Sequence, residues 1–140
     1  MKNSQEVAAL GLMREWLAAH GFVVVERRGG DSINWREDYV LKGESRRVAL
    51  SSTRGDLDVY FGVEGVVDPI LPDTWRYALD GTPVVLPRVD FAGQVHILID
   101  RYEEFLVLAH ADNAESQLSA ARAHARKVVM SPPWHPTFGD

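Results

Sequence analysis

A chain of 140 residues, 46% hydrophobic and 25% charged, has the size and composition of one folded domain rather than a disordered segment. It contains no cysteine, which excludes a disulfide framework, a thiolate zinc site and a cysteine nucleophile. With 20 acidic against 15 basic side chains the formal net charge is -5, which disfavours a phosphate backbone as ligand and suits a basic protein partner. No apolar run approaches membrane-spanning length, and Met1 to Glu6 lacks a signal-peptide pattern, so a cytoplasmic protein is expected.

The first expected element is a helix from Ser4 to His20. Asn3 to Glu6 has capping-box spacing, and Val7, Leu10, Met13 and Leu17 form one apolar stripe with Trp16 at its edge. Gly21 suits a left-handed C-cap. Four strands should follow, at 22–28, 34–41, 46–52 and 57–63, separated by Gly29-Gly30-Asp31-Ser32, Gly43-Glu44 and Thr53-Arg54-Gly55. Connections this short read as an antiparallel meander.

From Glu64 to Pro87 four prolines break the pattern, leaving room for one helical turn around 73–79 and a short strand at 84–86. Such an irregular region suits a functional loop. Residues 91–109 carry apolar side chains at helical spacing. Gly93 with the β-branched Val95, Ile97 and Ile99 favours a strand there instead, with a helix from about Asp100. Asp112 to Glu115 is a second capping box, opening a helix to about Val129, and Pro132 to Pro136 cannot be helical. The expected architecture is α+β: an N-terminal helix, a four-stranded antiparallel meander and C-terminal helices packed on the sheet. One domain spans residues 1–130, and a proline-rich tail spans 131–140.

The most informative stretch is Arg54 to Gly62. Leu57, Val59, Phe61 and Val63 alternate with Asp56, Asp58 and Tyr60, so the strand should bury the apolar set and hold both carboxylates on the opposite face. Two carboxylates about 7 Å apart could share a divalent cation. Gly43-Glu44-Ser45 followed by Asp56-Leu57-Asp58-Val59 resembles the turn and metal-binding strand of the nucleotidyltransferase family. That likeness would imply magnesium held by Asp56 and Asp58, with a third carboxylate from Glu64, Asp68 or Asp90. The family has small residues where Glu44 stands, and a helix where Arg46 to Ser52 reads as a strand.

Other chemistry finds less support. None of the five histidines pair at the i, i+4 spacing of a helical zinc site, and Ser51-Ser52-Thr53 lacks a nucleophile elbow. Trp75 and Trp134 fall in proline-rich segments, where an exposed indole could anchor a partner or cap the core. Glu37, Asp38, Asp56, Asp58, Glu64, Asp68 and Asp73 would gather around such an anchor if the sheet's outer face adjoins the 64–75 loop.

A compact, acidic, cysteine-free chain with an N-terminal helix and a β-meander resembles, in architecture, the small bacterial immunity proteins of polymorphic-toxin and contact-dependent inhibition systems. The resemblance implies a non-enzymatic protein that covers a basic toxin domain, often a nuclease, and uses no cofactor. The expected contact residues are Asp56, Asp58, Tyr60, Glu64, Asp68 and Trp75. Two alternatives stay open: a secretion-chaperone-like module that binds an unfolded segment, and a metal-dependent nucleotidyltransferase or nuclease centred on Asp56 and Asp58.

Overall fold

The computed structural model describes residues 4–130. Its elements run α1 (Ser4–Ala19), β1 (Val23–Arg28), β2 (Trp35–Leu41), β3 (Arg46–Thr53), β4 (Asp56–Val63), β5 (Val67–Ile70), α2 (Pro72–Asp80), α3 (Phe91–Ala109) and α4 (Ala114–Met130). The fold is α+β, and the strands form one antiparallel sheet in the order β1-β2-β3-β4-β5.

The sheet thus has five strands, where the residue pattern gave four. β5 contains Pro69 and pairs with β4 through a shifted register, so neither alternation nor an unbroken ladder marks it. The β3–β4 hairpin closes through Arg54 and Gly55, both with positive φ, as a two-residue turn matched to strand twist requires. Asn34 Oδ1 accepts the Arg54 N–H at 3.0 Å, and the Ile33 carbonyl accepts the Gly55 N–H at 3.0 Å.

One sheet face carries Tyr39, Val48, Leu50, Leu57, Val59, Phe61 and Val63 into the core. Leu10, Met13 and Leu17 from α1 join it, with Val95, Leu98, Tyr102 and Phe105 from α3. Fully burying a side chain such as Leu50 or Phe61 is worth about 1.5–3 kcal/mol. Glu37 shares this inner face. Arg14 of α1 donates to its carboxylate through Nε and Nη2 at 3.2 and 2.9 Å, and the Tyr39 hydroxyl donates at 2.9 Å. Glu37 is therefore an ion-paired group beneath α1, not part of an outer acidic surface.

α3 corrects the expectation of a strand before Asp100: residues 91–109 form a single helix. Phe91, Val95, Leu98, Tyr102 and Phe105 all face the core along it, and that burial outweighs the few tenths of a kcal/mol that β-branching costs per residue. Asp90 caps the helix by accepting the Gly93 N–H at 2.8 Å.

α2 is nine residues long rather than a single turn. Pro72 occupies its first position, and Gly81 ends it at φ 80, its N–H donated to the Tyr77 carbonyl. Residues 84–86, expected as a short strand, have no regular structure. α4 packs on α2, where the His124 ring stacks on Tyr77 at 4.0 Å and its Nε2 accepts the Val84 N–H at 3.1 Å. Asn3, Trp134 and the proline-rich tail lie outside the described residues.

Candidate functional site

Helices α1 and α3 close the inner face of the sheet, whereas the outer face forms a trough of about 710 Å³ that no helix lines. Its walls come from β1, β2, β3 and β5 and from the β4–β5 turn. Charged side chains dominate: Glu26, Arg28, Arg36, Asp38 and Arg47 on one side, Glu64 and Asp68 at the far end.

The charges are largely cross-paired. Arg28 lies 2.8 Å from Glu26 and 3.5 Å from Asp38, Arg36 lies 3.1 Å from Asp38, and Arg47 lies 3.4 Å from Glu64. Pairs this exposed each contribute less than about 1 kcal/mol, so a partner can rearrange them at small cost. Asp68 is exposed and has no ion-pair partner among the described residues.

A missing side chain shapes the trough. Gly62 follows Asp58 and Tyr60 on the outer face of β4, and a Cβ there would stand 2.5 Å from the Pro69 nitrogen and 2.8 Å from the Asp68 carbonyl carbon. Only glycine lets the β5 backbone cross so close to β4. That crossing shifts the β4–β5 register and raises Asp68 as the end wall.

Asp58 lies on the face that the alternation assigns it, yet is only 6% exposed. The segment between α2 and α3 rounds the β4 edge beyond the end of β5 and brings Arg88 to 3.0 Å from its carboxylate. Gln94, in the first turns of α3, closes the same edge. Its Oε1 accepts the Val59 N–H at 2.9 Å, while its Nε2 donates to Asp58 Oδ1 at 2.9 Å and to the Val89 carbonyl at 3.1 Å. A side-chain amide thus replaces the missing neighbouring strand. Tyr60, half-buried, has its hydroxyl 3.4 Å from Asp58 Oδ2. Burial first, and the Asp58 charge second, raise its pKa above the ordinary tyrosine value.

The six expected contact residues therefore divide. Glu64 and Asp68 line the trough, Asp56 is exposed at the start of β4, and Tyr60 borders the start of α2 and α4. Asp58 is buried in a polar network rather than presented to a partner. Trp75 is the clearest correction: it is 0% exposed, its ring lies between Phe61 and Phe105 at 5.0 and 5.4 Å, and its indole N–H is donated to the Phe61 carbonyl at 2.8 Å. A helix beginning at Pro72 turns this indole inward, where a loop would have left it at the surface.

The same geometry counts against a metal centre. Arg88 and Gln94 already engage the Asp58 carboxylate, Asp56 stands apart in solvent, and no group of three metal-ligating side chains gathers among the described residues. Arg46–Thr53 is a strand, where the nucleotidyltransferase likeness requires a helix.

Residue patterns missed Arg88, Gln94 and Gly62. The one local signal available was Gly62 itself, a glycine interrupting an otherwise regular strand, which marks close backbone approach. No helix of the described residues is long and apolar enough to cross a membrane. Comparison of the chain with protein-family models, curated proteins and solved structures finds no match.

Proposed function

We propose that this chain is a non-enzymatic protein-binding module, an immunity protein that neutralises a cognate basic toxin domain by covering it with the outer face of its sheet. The observation that carries the reading is the contrast between the two faces: one sealed by α1 and α3, the other an open, charged trough. Small-molecule sites are mostly apolar concavities with few convergent polar groups, and this trough is the reverse. Glu64 and Asp68 would steer a basic surface into register, and the strands beside them hold them on a rigid frame. The contacts expected to matter most are Glu64 and Asp68, with Trp75 acting through the core.

The test is calorimetric titration of the full-length protein with the basic domain encoded beside it. The reading requires a 1:1 complex that weakens with salt and loses affinity about tenfold or more in Glu64→Lys/Asp68→Lys. A complex indifferent to that double substitution, or no complex at all alongside magnesium-dependent nucleotidyl transfer, would overturn it.

A further inference from the structure

Most arginines of the described chain face a carboxylate: Arg14 and Arg27 meet Glu37, Arg28 and Arg36 meet Asp38, and Arg88 meets Asp58. Arg122 and Arg126 of α4 are exposed and have no carboxylate partner among the described residues. Four residues apart, they share one helix face, and like charges at that spacing destabilise a helix by a few tenths of a kcal/mol. An uncompensated pair of this kind in an acidic chain invites an anion from elsewhere.

Their surroundings narrow the choice of anion. Both arginines line a groove of about 230 Å³ between α4, the outer side of β4 and β5, and the start of α2. Ile70 and Leu71 give it apolar surface, and Tyr60 and Thr74 also line it. Apolar surface has no use for a free phosphate but accepts an aliphatic side chain. Pro69 borders both this groove and the charged trough, so Asp68 and Glu64 stand just across a ridge, where they would repel a polyanion such as a nucleic acid. A peptide carrying one or two carboxylates beside an apolar residue meets all of these conditions.

We infer that this groove is a docking site for a short acidic segment of a protein partner, with an aliphatic side chain against Ile70 and Leu71 and a carboxylate between Arg122 and Arg126. The site deepens the protein-binding reading above and rests on it only in taking the occupant to be a protein. Together the two sites make a bipolar surface, acidic at the Glu64–Asp68 end of the trough and basic in the groove, divided by Pro69. A partner matching both would have to present a basic patch beside an acidic segment, a demand that rejects partners basic throughout.

The experiment uses the full-length chain and an acetylated eight-residue peptide of alternating Leu and Glu, titrated while backbone amide chemical shifts are recorded. Shifts should concentrate at Tyr60, Ile70, Leu71, Arg122 and Arg126. Binding should weaken about tenfold in Arg122→Glu/Arg126→Glu, a loss of roughly 1.4 kcal/mol, and by less in Arg122→Gln/Arg126→Gln, which guards against a fold defect from charge reversal. Asp68→Lys should not weaken binding of the peptide, and by removing a repelling charge should if anything strengthen it, so loss of toxin binding and loss of peptide binding are separable. Equal binding of a Leu–Lys peptide, tighter binding of a single-stranded oligonucleotide, or shifts confined to other surfaces would each overturn the inference.

Discussion

The two faces of the sheet solve the same problem by different means. The inner face excludes water with interlocked apolar side chains, and its one acid, Glu37, is held by Arg14 and the Tyr39 hydroxyl. The outer face keeps its charges at the rim of the trough exposed and mostly cross-paired, apart from unpaired Asp68, while Ala49, Ser51 and the Arg88-paired Asp58 are buried on it. Apolar packing supplies most of the stability and tolerates little change. Exposed ion pairs supply little and can be exchanged, which is what a recognition surface needs. Stability thus resides mainly on one side of a set of strands whose other side is the proposed binding surface.

The sharpest way to break that division is to carve into the inner side. Trp75→Ala removes a side chain without exposure and orphans the Phe61 carbonyl, so a loss of about 3–5 kcal/mol is expected in urea unfolding. The fraction still folded should keep its affinity for the partner; selective loss of binding at unchanged stability would show that the indole belongs to the interface after all. Gly62→Ala probes the outer side. Its Cβ would press on Pro69, and overpacking of this kind costs about 1–3 kcal/mol. Amide shifts should concentrate in β5 and the β4–β5 turn, and partner affinity should fall by more than the stability change explains. A silent alanine would mean that the crossing at Pro69 does not shape the trough.

The smallest effect concerns pH, at the two ends of α2. Buried Asp73 has its carboxyl raised above the ordinary 3.8, chiefly by desolvation, against opposing pulls from Thr74, Arg76 and Arg88. Its contribution to stability is complete below pH 3.8 and fades as pH rises through the raised value. Asp80 accepts the Thr82 hydroxyl and N–H at 2.6 and 2.8 Å and bonds Arg101, and is held down at about 2. Its contribution is present above 3.8 and lost as pH falls towards 2. Urea midpoints measured across the acid range should therefore fall less steeply in Asp80→Asn and more steeply in Asp73→Asn. The same slope change in both variants would contradict the assignment.

Legibility followed the range of the interactions. The α1 stripe of Leu10, Met13 and Leu17, and the alternation of Leu57, Val59 and Phe61, could be read because helix and strand periods are local properties of the backbone. Residues 91–99 were ambiguous because Val95 and Leu98 suit a buried strand as well as a buried helix, and only packing against β4 and α1 separates the two. β5 was hidden by Pro69 and by its shifted pairing with β4.

The sequence by itself determined the fold class, the face on which each β4 side chain stands, and the acidic balance of the chain. Tertiary structure alone decided which polar groups remain at the surface. Arg88 and Gln94 reach Asp58 from 30 and 36 residues away and take it out of solvent, and α2 turns Trp75 into the core 14 residues from the carbonyl it bonds. The physical reason is that side-chain direction is set within two or three residues, whereas burial depends on which distant segment arrives to cover it.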